Sequence, residues 1–270
     1  MRQFKKTIFG IILAGLLISV NPLSAGTQKT VLFDEGHGQK FLIEQNGTLD
    51  LSGLSAIFKN EGLRVKASKG KITDEVLTGV DALVISGAFM PVTPPEIAAV
   101  IRFVEKGGRL CIMLHIGTPV ADLLHKMNVS ISNGVIREQK NQIKDNPLDY
   151  YVTELKPHAL MRGVKRFSIF GGWALLNTKE NAEIIAQTSE KAWVDLNGDN
   201  QLNKGDAVQS FGVVIAGKWG AGHFVVFGDD AIFQNKFLIE ENALIGKNLA
   251  RWLKGEKKNR RKDEPLKASH

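Results

Sequence analysis

The chain has 270 residues, 43% of them hydrophobic, with one cysteine, six histidines and a formal net charge of +7. That length and apolar content suit one large α/β domain with a substantial core, and a lone cysteine argues against a small disulfide-stapled scaffold. The charge is carried by the ends, +3 before Ala25 and +4 from Lys254 onward, so residues 26–253 are near neutral and lack the basic footprint of a nucleic-acid-binding domain.

Arg2, Lys5 and Lys6 precede an apolar run from Ile8 to Val20, which Asn21-Pro22 ends; Leu23-Ser24-Ala25 then offers small residues before Gly26. This is the layout of a secretory signal peptide, and the run is shorter than the roughly 18 residues that span a bilayer. Cleavage after Ala25 is expected. It would leave a periplasmic or extracellular protein with no stable membrane span. No cysteine follows the run, which argues against a lipid-modified N-terminus.

Thr30–Phe33 reads as a buried strand ending at Asp34. Leu49, Leu51, Leu54, Ile57 and Phe58 recur at helical spacing up to Gly62. A second strand is expected over 63–67, a short helix over 73–77 and a third strand over 82–85. Pro94-Pro95-Glu96 opens a helix that Gly107-Gly108 stops, followed by a strand over 109–115 and a helix over 119–127. This alternation predicts an α/β fold: a doubly wound, mainly parallel, flavodoxin-like sheet. Strands over 167–170, 174–176, 184–187, 213–216 and 224–227 have little helix between them and predict a mixed or antiparallel extension in the second half. The polar stretch 137–150 reads as a surface loop, 240–253 as the closing helix, and 254–270 as a basic disordered tail. The domain spans 26–253.

DALVISGAF (81–89), GGRLCIMLHIG (107–117) and GKWGAGHFVVFGDD (217–230) resemble the strand-and-glycine-turn segments of the class I glutamine amidotransferase-like superfamily. Within it the nearest likeness is to an exported family of unknown function, related to ThuA-like domains and to auxiliary domains of gliding-motility ABC transporters. The resemblance implies a Cys-x-Gly elbow after the fourth strand, but His115-Ile116-Gly117 stands there. Cys111 lies inside the strand, where a free cysteine packs as a small hydrophobe. Glutaminase chemistry needs an exposed, activated thiolate and is therefore not carried over.

Ligands of open parallel sheets bind beyond the carboxyl ends of the strands. Asp34 and His37, Ser86, His115, and Asp229 followed by Asp230 fall there, and Asp34, His37, Ser86, His115 and Asp229 are the candidate ligand-binding residues. Asp34, His37 and His115 fit three readings: a metal site, a site for a polar small molecule such as a sugar, or a hydrogen-bonded structural rim with Asp34 tethering loop amides. His125, His158 and His223 read as surface or packing residues. Trp173, Trp193, Trp219 and Phe170 are candidates for a sugar-binding surface, or for core.

Within Asp195–Asp206 (DLNGDNQLNKGD), Asp195, Asn197, Asp199, Asn203 and Asp206 fall at positions 1, 3, 5, 9 and 12, with the Gln201 carbonyl at position 7. That is the ligand spacing of a calcium loop. Its flanks look like strands, so an EF-hand is excluded, and an Asx-rich hairpin turn is the other reading. The leading functional expectation is an exported, non-catalytic domain that binds a small molecule or a protein. The alternative is an enzyme acting on a carbohydrate-like substrate through an Asp/His site at the strand ends.

Overall fold

The computed structural model describes residues 28–255. The expected signal peptide, and the basic tail beyond Gly255, lie outside the described residues. The first half alternates as the sequence predicts: β1 (Thr30–Asp34), α1 (Ser52–Asn60), β2 (Arg64–Ser68), β3 (Ala82–Ser86), α2 (Pro94–Glu105), β4 (Arg109–Met113) and α3 (Ala121–Lys126). The second half adds β5 (Val129–Arg137), β6 (Gln142–Ile143), β7 (Asn146–Val152), β8 (Glu154–Leu155), β9 (Phe167–Phe170), β10 (Trp173–Asn177), β11 (Ala182–Gln187), β12 (Trp193–Val194), β13 (Ala207–Val208), β14 (Gly212–Trp219) and β15 (Gly222–Phe227). The closing helix is α4 (Glu240–Lys254).

The strands β2-β1-β3-β4-β15 run parallel in that order, the flavodoxin-like arrangement. Every residue of β1 and β3 is buried, which continuous apolar runs such as ALVIS require of strands covered on both faces. Alternate side chains feed two cores. Phe33, Val84, Cys111 and Val225 pack with Leu54 of α1 and with Ile245 and Leu249 of α4. Leu83, Leu110, Ile112 and Val226 pack with Val100 of α2 and Leu123 of α3.

Beyond β15 the sheet turns antiparallel through β14, β10, β5, β12 and β13, with β11 also paired to β14. This is the extension that the second half predicts. Two local expectations are corrected. The stretch 137–150 is not a loop: β6 and β7 lie in a three-stranded sheet with β9, because Tyr150 and Val152 alternate inward and are fully buried. Residues 73–77 form turns rather than a helix, stopped by Gly79 in the left-handed region. Among the described residues, no helix is long and apolar enough to cross a membrane.

Candidate functional site

The carboxyl ends of β1, β3, β4 and β15 share one edge, so the candidate residues gather there. They do not form one constellation. Asp34 closes β1 and is buried; its Oδ1 accepts from the Gly36 N–H at 3.1 Å, and its Oδ2 accepts from Gln39 Nε2 at 2.6 Å. His37 Nδ1 lies 2.8 Å from the same Oδ2, and its Nε2 lies 3.2 Å from Glu96 Oε1. Both ring nitrogens are therefore occupied inside the protein, and the side chain is only 6% exposed. The hydrogen bond that His37 makes to Asp34 raises the His37 pKa against the opposing effect of burial, with Glu96 adding to it.

Glu96, like Asp230, is not among the candidates that the sequence singles out. It forms a capping box with Thr93 at the start of α2, and it also accepts from the Ile72 N–H at 3.0 Å. Burial pushes its carboxyl up, but the bonds from Thr93, Ile72 and His37 outweigh that and hold it at about 2. The spacing Thr93-x-x-Glu96 was the available signal. Asp34, His37, Gln39 and Glu96 thus pin the 35–39 loop to α2, which is the structural-rim reading for this pair.

His115 is built differently. The Leu114 N–H donates to the Phe227 carbonyl at 3.0 Å, and the Asp230 N–H donates to the Leu114 carbonyl at 2.8 Å. These two bonds stitch the ends of β4 and β15 and place His115 Nδ1 3.0 Å from Asp230 Oδ1. The Asp230 side chain is 1% exposed and that of His115 is 37% exposed. Nε2 has no partner among the described residues. Phe41 and Phe89 flank the imidazole, with ring centroids 5.1 and 5.2 Å away. The Asp230 hydrogen bond raises the His115 pKa against partial burial, and burial raises that of Asp230 against its bond to His115.

Asp229, the neighbouring candidate, points into the protein. Its Oδ2 accepts from the Phe170 N–H at 2.7 Å and its Oδ1 from the Ala231 N–H at 2.8 Å. Burial and the adjacent Asp230 push its pKa to about 8. Ser86 is buried with its Oγ unpartnered, as is Oδ2 of Asp230. Cys111 is fully buried within β4, and burial pushes its thiol well above the usual value.

The aromatic candidates do not share a surface. Trp219 Nε1 donates to Glu105 at the opposite end of the sheet, Trp193 is buried under Arg137, and Phe170 stacks on Phe237. Only Trp173 touches the His115 turn, donating from Nε1 to the His115 carbonyl at 3.0 Å. A recess of about 410 Å³, lined in part by Asp74, Asp81, Phe103 and Lys106, also lies at the opposite end.

The Asp195–Asp206 segment is the turn between β12 and β13. Asp195 accepts from the Gly198 and Asn200 amides, Asp199 from Gln201, and Asp206 from Leu196 and Asn203. Asn200 takes φ 62°, a conformation that asparagine tolerates. Among the described residues, no three His, Cys, Asp or Glu side chains are grouped as a metal site.

No protein-family model matches the sequence, and no curated protein matches it. Solved structures do. The mmIFT52 N-terminal domain superposes with a TM-score of 0.65 at 18% identity, covering 83% of this chain and 96% of that one. A ThuA-like protein from Bacteroides uniformis gives 0.51 at 13% identity, covering 86% and 95%. A cold-adapted β-galactosidase from Rahnella sp. R3 gives 0.51 at 13% identity, covering 84% of this chain but 31% of that one. At these identities the likeness is one of fold alone: a flavodoxin-like α/β fold, here with a histidine at the turn after β4.

Proposed function

We propose that this is an exported ligand- or protein-binding domain of the glutamine amidotransferase-like superfamily, without glutaminase chemistry, whose binding surface is the strand-end rim around His115. Kinship with the exported family of unknown function is part of this reading. The observation that supports the reading is the split at the rim. Cys111 is sealed in β4 while His115, at the elbow position, presents a partly exposed imidazole held by a buried carboxylate. Export rests on the signal-like residues 1–25 and places the domain in the periplasm or outside the cell.

The second reading is an enzyme acting on a carbohydrate-like substrate. The His115–Asp230 contact favours it, since a histidine oriented through one nitrogen and open at the other is a competent acid or base. His37 does not contribute, because both its nitrogens are bonded internally. One experiment separates these readings. The exported protein and its His115→Ala variant are screened against small molecules and glycans for binding and for turnover. Binding that His115→Ala weakens, with no product formed, supports the first reading; turnover lost in His115→Ala supports the second. Binding indifferent to His115 removes the rim from both.

A further inference from the structure

We propose that the His115 site takes a small carboxylate carried on an apolar or aromatic body. The inference rests on the binding reading above and specifies its ligand. It begins from the environment of Asp230. Its Oδ2 is buried without a partner, and its Oδ1 has the His115 ring as its side-chain partner. No further side-chain donor meets this carboxylate, so its stabilisation falls on His115, which favours the imidazolium form. A protonated ring bonded through Nδ1 leaves Nε2–H as a single charged donor, which a carboxylate oxygen accepts in a short charge-assisted bond.

The charges around the ring allow an anion to approach. Asp230 bonds the His115 ring, and Asp229, though turned inward, acts on it through its charge. Asp230 is compensated by the ring itself. Asp229 has both its oxygens held by the Phe170 and Ala231 amides, and burial with the adjacent Asp230 pushes its pKa to about 8, which weakens its repulsion of a second carboxylate. Neutral groups also line the ring: Phe41 and Phe89 flank it, and the Trp173 indole N–H is occupied by the His115 carbonyl. Met90, next to Phe89, is 57% exposed and lies over Gly38. An aromatic pair beside one charged donor suits a ligand with an apolar body and an anionic end. A bare inorganic anion would leave the apolar part unused.

The test uses phenylacetate and its neutral analogue phenylacetamide, with the exported protein, read by titration calorimetry and by NMR of the histidine ring signals. Phenylacetate should bind and shift the His115 ring signals, with phenylacetamide at least about tenfold weaker. His115→Gln should lose this preference. In Asp230→Asn, binding should be lost at neutral pH and regained near pH 5.5, as the His115 pKa falls toward its ordinary value of about 6.5; a purely structural role would give no such recovery. Equal affinity for the two probes overturns the proposal. So does silence of the His115 signals to both probes while a glycan or another neutral ligand moves them, an outcome under which the rim reading survives. Binding of phenylacetate that leaves the His115 signals still overturns the proposal and the rim reading together.

Discussion

The backbone of Gly87 lies against the buried carboxylate of Asp230: a Cβ built at position 87 would fall 2.6 Å from Oδ2. Gly87 also holds φ +56°, in the left-handed region. The turn after β3 therefore depends on glycine twice, once for conformation and once for the space in which Asp230 reaches His115. Gly87→Ala should cost roughly 2–3 kcal/mol of stability by denaturant unfolding, from the left-handed strain and the overlap together. It should also displace Asp230 and lower the His115 pKa, measurable by NMR titration. An unchanged His115 titration would mean that the carboxylate is not positioned by Gly87.

Much of this rim was legible because parallel-sheet physics dictates it. Buried strands must be continuous in apolar residues, and their ends must break into polar turns, so Asp34, Ser86, His115 and Asp229 all fall where the sequence puts them. What sequence could not supply was the pairing. Asp229 and Asp230 are adjacent, and only the stitch between Leu114 and β15 decides that Asp230 meets His115 while Asp229 turns inward to Phe170. Residues 137–150 misled for a related reason. Polar residues dominate that stretch, yet Tyr150 and Val152 are buried by partners in β9, which lies about 20 residues further along the chain.

Breaking the two histidine sites should have opposite profiles. His37→Ala leaves Asp34 and Glu96 buried without their shared partner, a change that should cost roughly 3–5 kcal/mol. His115→Ala strands one buried carboxylate, Asp230, rather than two, and because burial already raises the pKa of that group it can take up a proton instead, so the cost should be smaller, roughly 1–3 kcal/mol. Urea unfolding of the two variants tests this. Similar losses would show that His115 is as structural as His37.

Cys111 should be chemically silent in the native state. Its thiol is fully buried and its pKa is raised, so iodoacetamide should label it only after denaturation. Cys111→Ala should fold and keep ligand binding, at a cost of about 1–2 kcal/mol for the lost packing. Rapid labelling of the folded protein would revive a nucleophilic role for this residue.

The buried titratable groups set a pH window. Asp229, at about 8, and His115, also raised, bind protons more tightly in the native than in the unfolded chain. Their stabilising contribution is present below the unfolded values, about 3.9 and 6.5, and is lost as pH rises through the folded ones. Glu96, held at about 2, has the opposite sense: its contribution is present above the unfolded value and is lost as pH falls toward 2. Thermal midpoints should therefore decline on both sides of a mildly acidic optimum. Asp229→Asn should flatten the alkaline limb, and a limb of unchanged slope in that variant would assign it elsewhere.

The turn from Asp195 to Asp206 gathers three carboxylates within one hairpin, and their placement tests calcium against simple turn chemistry. Each carboxylate accepts backbone amides of the loop, and Asp199 also accepts from the side chains of Asn197 and Asn203. These bonds close the turn by themselves, while the mutual repulsion of its three carboxylates opposes it. A bound cation would convert that repulsion into attraction, and its contribution would grow with concentration as RT ln(1 + [Ca]/Kd). Calcium at millimolar concentration is expected to raise the thermal midpoint of the wild-type protein relative to excess chelator, modestly, as for weak extracellular sites. Asp195→Ala should lower the midpoint in chelator, because the Gly198 and Asn200 amides lose their acceptor, and should abolish the calcium-dependent rise. If the wild-type midpoint is the same in calcium and chelator while Asp195→Ala still lowers it, the twelve residues act as an Asx-rich turn and calcium has no place in them.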